Sequence, residues 1–347
     1  MKNGRYLVGV VGAGGIGRYH IDGWKKIQDV VVYGISDVSQ QFLDEVSKKY
    51  EIPVAVKDYK KLIDIEEIDI IDVCTPNTFH YPVTMAALKN GKHVICEKPL
   101  ATSSKHVEKM IQAAKENKRK LMAAQNQRFT QPGKMTKAMI DQGIFGEIYF
   151  AQCYAVRRRE LPPRDTFIKK ELSGGGPMFD IGVHILDITY WFMGCPIVHS
   201  VKGVTFTKLA KNDDITGTWG QWDTKKFEVE DFASGFVLFK DARALQLTCS
   251  FLSNLPSNWS AHLYGTKAGM IWPEMKMFSE IRGLHCDSNL TPIVPDNEPS
   301  HHRELAHFLE CVRENREVLV KPEQSLEVIK ILEAMYISAQ KKREVVF

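Results

Sequence analysis

The chain has 347 residues, 44% of them hydrophobic and 25% charged. That length favours two domains over one small module, and the composition excludes disorder, collagen-like repeats and coiled coil. A net charge of +4 exerts little pull on a polyanion, so neither nucleic acid nor an acidic membrane surface is implied as a partner.

The seven cysteines are scattered and never spaced C-x-x-C. They read as reduced cytosolic thiols, with no disulfide framework and no zinc knuckle. Lys2 and Arg5 precede an apolar stretch, but Gly12, Gly14, Gly15 and Gly17 interrupt it before any cleavage site. No run approaches the roughly 20 apolar residues that a spanning helix needs. The expectation is a soluble, cytoplasmic protein with no membrane partner.

Up to residue 125, apolar runs at 6–11, 30–35, 68–73, 93–96 and 121–124 read as strands. Between them, 16–27, 39–50, 79–89 and 103–117 carry apolar residues at helical spacing. That alternation implies βαβ units and a parallel sheet in a first domain spanning 1–125. A second domain, 126–347, opens with a helix at 133–142 and continues with longer alternating runs at 147–155, 197–206, 230–239, 244–251 and 260–265. These suit an antiparallel or mixed sheet with one covered face. Residues 208–226 read as loop, and amphipathic helices are expected at 303–314 and 324–340.

Gly12-Ala13-Gly14-Gly15-Ile16-Gly17 fits G-x-G-x-x-G. It follows a strand, opens a helix and lies 20 residues before Asp37, which ends the second strand. Together these form the dinucleotide arrangement of a Rossmann domain. Gly12 allows the tight turn, Gly14 lets the backbone approach a pyrophosphate and Gly17 permits close packing of helix on sheet. Asp37 would accept hydrogen bonds from the ribose hydroxyls and repel a 2′-phosphate. With no Arg or Lys at 38–47, NAD is favoured over NADP.

Other candidate cofactor contacts follow the next strands on the same carboxyl edge: Thr75, Asn77 and His80 after one, Glu97 and Lys98 after the other. Thr78 reads equally well as a helix cap. In the second domain, Asp180, His184, Asp187 and Trp191 fall on one stripe of an apolar helix that begins at Pro177. Such a stripe is costly unless hydrogen-bonded or facing a cavity. It suits either a structural pair or an acid–base pair in which Asp180 orients His184.

The glycine fingerprint, Thr75-Pro76-Asn77 with His80, Glu97-Lys98-Pro99, Gln127-Arg128-Phe129, and Gly174-Gly175-Gly176 with Asp180, Gly182, His184 and Asp187 occur in one order. Over nearly its whole length the chain resembles the glucose–fructose oxidoreductase, inositol dehydrogenase and MocA family of NAD(P)-dependent oxidoreductases. The resemblance implies an α/β fold, with a Rossmann domain followed by an α/β domain whose large, open, mostly antiparallel sheet serves substrate binding and assembly into homodimers or homotetramers. It implies a catalytic trio of Lys98, Asp180 and His184, and a place for Asn126 near the nicotinamide ribose.

Residues 157–176 resemble a subgroup acting on pyranosides and anhydrosugars, which makes Arg157 and Phe167 substrate candidates. Of the arginines at 157–159, one is expected to reach substrate and the others to be solvated. His302 is a further candidate for the pocket lining. No metal is expected from His301, His302 and His307, which lack a ligand-spaced partner set. The activity implied is hydride transfer between nicotinamide and a secondary alcohol or ketone of a sugar, sugar derivative or cyclitol. The alternatives are a redox-neutral, NAD-dependent glycosidase acting by transient C3 oxidation, and a non-catalytic NAD-binding sensor.

Overall fold

The computed structural model describes residues 4–347; Lys2, which entered the reading of the N-terminus, lies outside them. The first elements are β1 (Tyr6–Val11), α1 (Gly15–Trp24), β2 (Val30–Ser36), α2 (Gln40–Tyr50), β3 (Val54–Val56), α3 (Tyr59–Ile63), β4 (Ile70–Val73), α4 (His80–Lys89), β5 (His93–Glu97), α5 (Ser104–Glu116) and β6 (Leu121–Ala124). Next come α6 (Gln131–Asp141), β7 (Ile148–Val156), α7 (Asp165–Ile168), α8 (Lys170–Ser173), α9 (Val183–Phe192), β8 (Val198–Phe206), β9 (Phe232–Phe239), β10 (Ala244–Ser250) and β11 (Asn258–Gly265). The rest comprises β12 (Ala268–Trp272), β13 (Lys276–Ile281), β14 (Leu284–Asn289), α10 (Ser300–Arg313), α11 (Pro322–Lys341) and β15 (Val345–Val346).

The chain divides into two units: Met1–Asn126 with Glu298–Leu326, and Gln127–Asn297 with Glu327–Phe347. The first holds six parallel strands in the order β3-β2-β1-β4-β5-β6. In this doubly wound order the winding reverses beside β1, and a crevice opens at the carboxyl ends of the strands. β1 and β4 are almost wholly buried, which is why they are nearly continuous Val/Ile runs instead of alternating ones. The short β3 was not anticipated, because three residues carry no readable period.

Residues 298–326 belong with the first unit. The cause is apolar packing: α10 buries Leu305, Phe308 and Leu309 and rests on α1. A Cβ on Gly23 would come within 2.8 Å of Leu305 Cδ1, so a glycine near the C-terminal end of α1 permits the approach.

The second unit holds nine strands in the order β14-β13-β12-β11-β7-β10-β9-β8-β15. Only β7 and β10 pair in parallel, which makes the sheet mixed and mostly antiparallel. On its covered face α9 packs on β7 and β11. Gly203 and Gly235 leave room there for Met335 of α11. The other face carries a cross-strand layer in which Phe150 meets Phe236 and Tyr264, and Gln152 bonds both Gln246 and the Tyr264 hydroxyl. Residues 208–226 are irregular apart from one turn at Thr224–Lys226, as the composition indicates. β12 to β15 escaped the sequence reading. Of these, β13 is mostly half-buried and β14 mostly exposed, and neither carries an apolar alternation to read.

Candidate active site

The glycine turn is built as the fingerprint requires. Gly12 has φ +106°, and a Cβ there would lie 2.4 Å from the Cys74 carbonyl oxygen. A Cβ on Gly17 would lie 1.9 Å from the Gly12 carbonyl oxygen. Gly14 and Gly15 differ, since a Cβ on either meets nothing within 4 Å. Their bareness leaves an open cradle ahead of Ile16 and the N-terminus of α1, which fits a pyrophosphate approaching the backbone.

Asp37 closes the turn, its Oδ2 accepting from Ala13 N–H and its Oδ1 from Ser39 N–H, each at 2.8 Å. A carboxylate has roughly four acceptor positions, so two bonds leave capacity for ribose hydroxyls. Arg18, also at this turn, is spoken for by Glu45 at 2.8 Å. Along the same edge, the buried Thr75 Oγ1 and Asn126 Oδ1 have no hydrogen-bond partner among the described residues, while Asn126 Nδ2 donates to Ser300 Oγ at 3.1 Å. Buried polar atoms of this kind call for a partner. A dinucleotide rich in hydroxyl and amide groups fits them.

Other candidates sit beneath that edge. His80 is fully buried, its Nδ1 2.6 Å from the Pro99 carbonyl and its Nε2 2.9 Å from the Thr75 carbonyl. It thus ties together the loops that carry Thr75 and Lys98, with Asn77 in the short turn between β4 and α4. Burial pulls its pKa down despite the two carbonyls. Glu97 accepts from the Lys98 N–H at 3.0 Å and faces His20 Nε2, also at 3.0 Å. Burial would raise the Glu97 carboxyl, but His20 and then Lys98 hold it down to about 2. His302 is packed against α1, its ring 5.2 Å from that of Tyr19.

In the second unit, the glycine triplet has steric reasons. Gly174 has φ +78°. A Cβ on Gly175 would strike the Tyr336 hydroxyl at 2.1 Å, and one on Gly176 the Glu230 carbonyl at 2.2 Å. The buried Glu230 carboxylate accepts from Gly176 N–H, Met178 N–H and the Tyr336 hydroxyl at 3.0, 3.3 and 2.7 Å. Glu230 therefore fixes the start of the Asp180/His184 helix, and its favourable place at that helix's N-terminus partly offsets its burial. The sequence reading missed it; the acid at the head of the run 230–239 was the available signal.

That helix opens with a π turn at Met178–Gly182 and continues as α9, a departure from the uniform helix expected from Pro177. Its polar stripe is divided among partners. Asp187 is gripped by both Nε and Nη2 of Arg128 at 2.7 Å, fully buried, with the guanidinium 5.4 Å from the Trp191 ring centre. Asp180 stands 3.6 Å from Arg157, which also lies over Trp219 at 4.6 Å. Half-exposed His184 meets Trp259 edge-on at 6.4 Å. Asp180 and His184 thus lie on the accessible flank of an otherwise buried apolar helix.

Arg157 is the inward member of its trio and Arg158 is exposed. Arg159, expected in solvent, instead bonds Asn254 Oδ1 at 2.6 Å and the Ser253 carbonyl. The cause is that the strand ends at Val156, so alternation no longer governs these positions. Phe167 is half-buried in α7.

A dinucleotide edge in one unit and an Asp/His-bearing helix in the other define the class, a pyridine-nucleotide oxidoreductase. The chain belongs to the GFO/IDH/MocA oxidoreductase family. The family's NAD-binding Rossmann fold matches residues 6–125 and its C-terminal alpha/beta domain residues 137–347. Among relatives, D-glucoside 3-dehydrogenase of Escherichia coli K12 is 29% identical over 343 residues, 98% of this chain and 97% of the relative. Myo-inositol 2-dehydrogenase of Thermotoga maritima is 32% identical over 217 residues, 62% of each chain. Levoglucosan dehydrogenase in complex with NADH shares the fold, with a TM-score of 0.84 at 20% identity over 99% of both chains.

Proposed function

We propose that the chain oxidises a secondary alcohol of a sugar, sugar derivative or cyclitol with NAD, or runs the reverse reduction, with pyranosides the favoured class. The observation that carries this reading is the placement of Asp180 and His184 together on the accessible flank of an otherwise buried apolar helix. Retaining two such groups there is costly unless they are used. The full-length relative named D-glucoside 3-dehydrogenase supports the substrate class.

Bound NAD supplies the hydride acceptor, the nicotinamide C4. The protein residues then manage one proton and one developing charge. His184 takes the hydroxyl proton of the carbinol, and Asp180 stabilises the imidazolium that results. Arg157, 3.6 Å from Asp180, holds that side chain in place. Lys98 donates a hydrogen bond to the reacting oxygen and stabilises alkoxide character as the proton leaves. Thr75, Asn77, Asn126 and Asp37 hold the nucleotide, and Phe167 and Arg157 face the sugar.

No helix among the described residues is long and apolar enough to cross a membrane. We read the chain as a cytoplasmic homodimer or homotetramer, a reading supported by seven free thiols and by the aromatic layer of the open sheet face, where Phe206, Phe236 and Tyr264 are exposed.

The test is absorbance at 340 nm with NAD, then NADP, against inositols, aldoses, methyl glycosides and anhydrosugars. NADH formation with one class is expected. Glycoside cleavage without net NADH would replace this reading with the redox-neutral glycosidase.

A further inference from the structure

Beneath Lys98 lies a buried polar cluster that no step above uses. His20, on α1, is fully buried. Its Nδ1 is 2.9 Å from Asp72 Oδ2, and its Nε2 is 3.0 Å from Glu97 Oε1. Asp72 is held in turn by the Trp24 indole N–H at 2.7 Å. The second Glu97 oxygen accepts the Lys98 backbone N–H at 3.0 Å. Cys74, His301 and the wholly buried Glu304 complete the surroundings.

The chain of contacts runs in one direction, from a rigid anchor to a functional residue. Trp24 and Asp72 hold one side of the ring, the other side stands 3.0 Å from one oxygen of Glu97, and the second oxygen accepts the peptide N–H of Lys98. With Nδ1 at 2.9 Å from Asp72 and Nε2 at 3.0 Å from Glu97, the ring is held between two buried carboxyl groups, and turning it would break the Asp72 contact.

We propose that His20 is a positioning residue for Lys98, acting through Glu97. The Asp72–His20–Glu97 relay sets where the lysine leaves the end of β5, and so where its ammonium can reach. This rests on the reading of Lys98 as the donor to the reacting oxygen.

The test uses His20→Gln and Glu97→Gln, the second keeping an acceptor for the Lys98 N–H while losing the charge that pairs with His20. It is read first by hydrogen–deuterium exchange on the NAD-loaded full chain. The Lys98 amide is expected to exchange about 10-fold faster in His20→Gln while the rest of the six-stranded sheet keeps its protection. With methyl β-D-glucopyranoside as substrate, kcat is expected to fall about 10- to 100-fold, with KM and the NAD dissociation constant little changed. The double variant should lose no more than the worse single one, because the residues act in series.

Wild-type exchange at Lys98 in both variants overturns the proposal. So does loss of protection throughout the sheet in both, which would make His20 merely structural. A loosened Lys98 amide with unchanged kcat overturns it if Lys98→Ala is inactive. If Lys98→Ala keeps near-normal turnover, the lysine reading itself fails, and the exchange result alone decides the positioning.

Discussion

Arg157 and Asp180 form a pair at 3.6 Å in which the arginine also lies over the Trp219 ring. The acid expected to polarise His184 is therefore itself held by a cation, and that cation is held by an aromatic face. Arg157→Ala is expected to lower kcat/KM about 10- to 100-fold, roughly 1.4–2.7 kcal/mol of transition-state stabilisation. Arg157→Lys should recover little, because an ammonium cannot both stack on the indole and pair as a planar fork. Steady-state kinetics decide it, and an unchanged kcat/KM in Arg157→Ala would detach the arginine from the chemistry.

Two glycines of the fingerprint should respond in opposite ways. Gly17→Ala places a methyl 1.9 Å from the Gly12 carbonyl oxygen and should prevent the first unit from folding. Gly14→Ala meets no protein atom and has φ −71°, which alanine accepts. Its stability should stay within about 0.5 kcal/mol of wild type. Its NAD affinity should fall about 100-fold, roughly 2.7 kcal/mol. Thermal unfolding and a fluorescence titration with NAD measure the two effects.

Arg128 and Asp187 are both completely buried. Arg128→Met strands the carboxylate and should cost about 3–5 kcal/mol of stability. The double variant Arg128→Met/Asp187→Leu should recover much of that loss, because no uncompensated charge remains. Urea unfolding of the three proteins tests it.

Burial holds the Glu304 carboxyl well above 4.5 against the pull of His20. The folded chain thus keeps a proton that the unfolded chain loses above about pH 4.5, so stability declines as pH rises. Glu304→Gln removes that decline and should match or exceed wild type at pH 8 while gaining nothing at pH 4.5. Glu97 acts in the other direction: held at about 2 against an ordinary 4.5, its contribution is complete above pH 4.5 and lost as pH falls toward 2. Denaturation midpoints at pH 3, 4.5 and 8 check both signs.

The sequence by itself determined the parallel nucleotide-binding sheet, the glycine turn and Asp37, since these depend on local period and on spacing along one βαβ unit. Asp180 and His184 were legible for the same reason, as two polar residues one turn apart on an apolar helix. Only the tertiary structure decided their partners. Arg157 lies 23 residues from Asp180 and comes to it by sheet register, while Glu230 and Tyr336, 50 and 156 residues away, come to the start of its helix by packing; neither leaves a local period. The return of α10 to the first unit and the His20–Glu97 pair are of the same kind. An acid inside the apolar run at Asp72 hinted that something buried must satisfy it. Which residue did so was settled by the packing of α1 against the ends of β4 and β5, because burial and partner are properties of the folded chain.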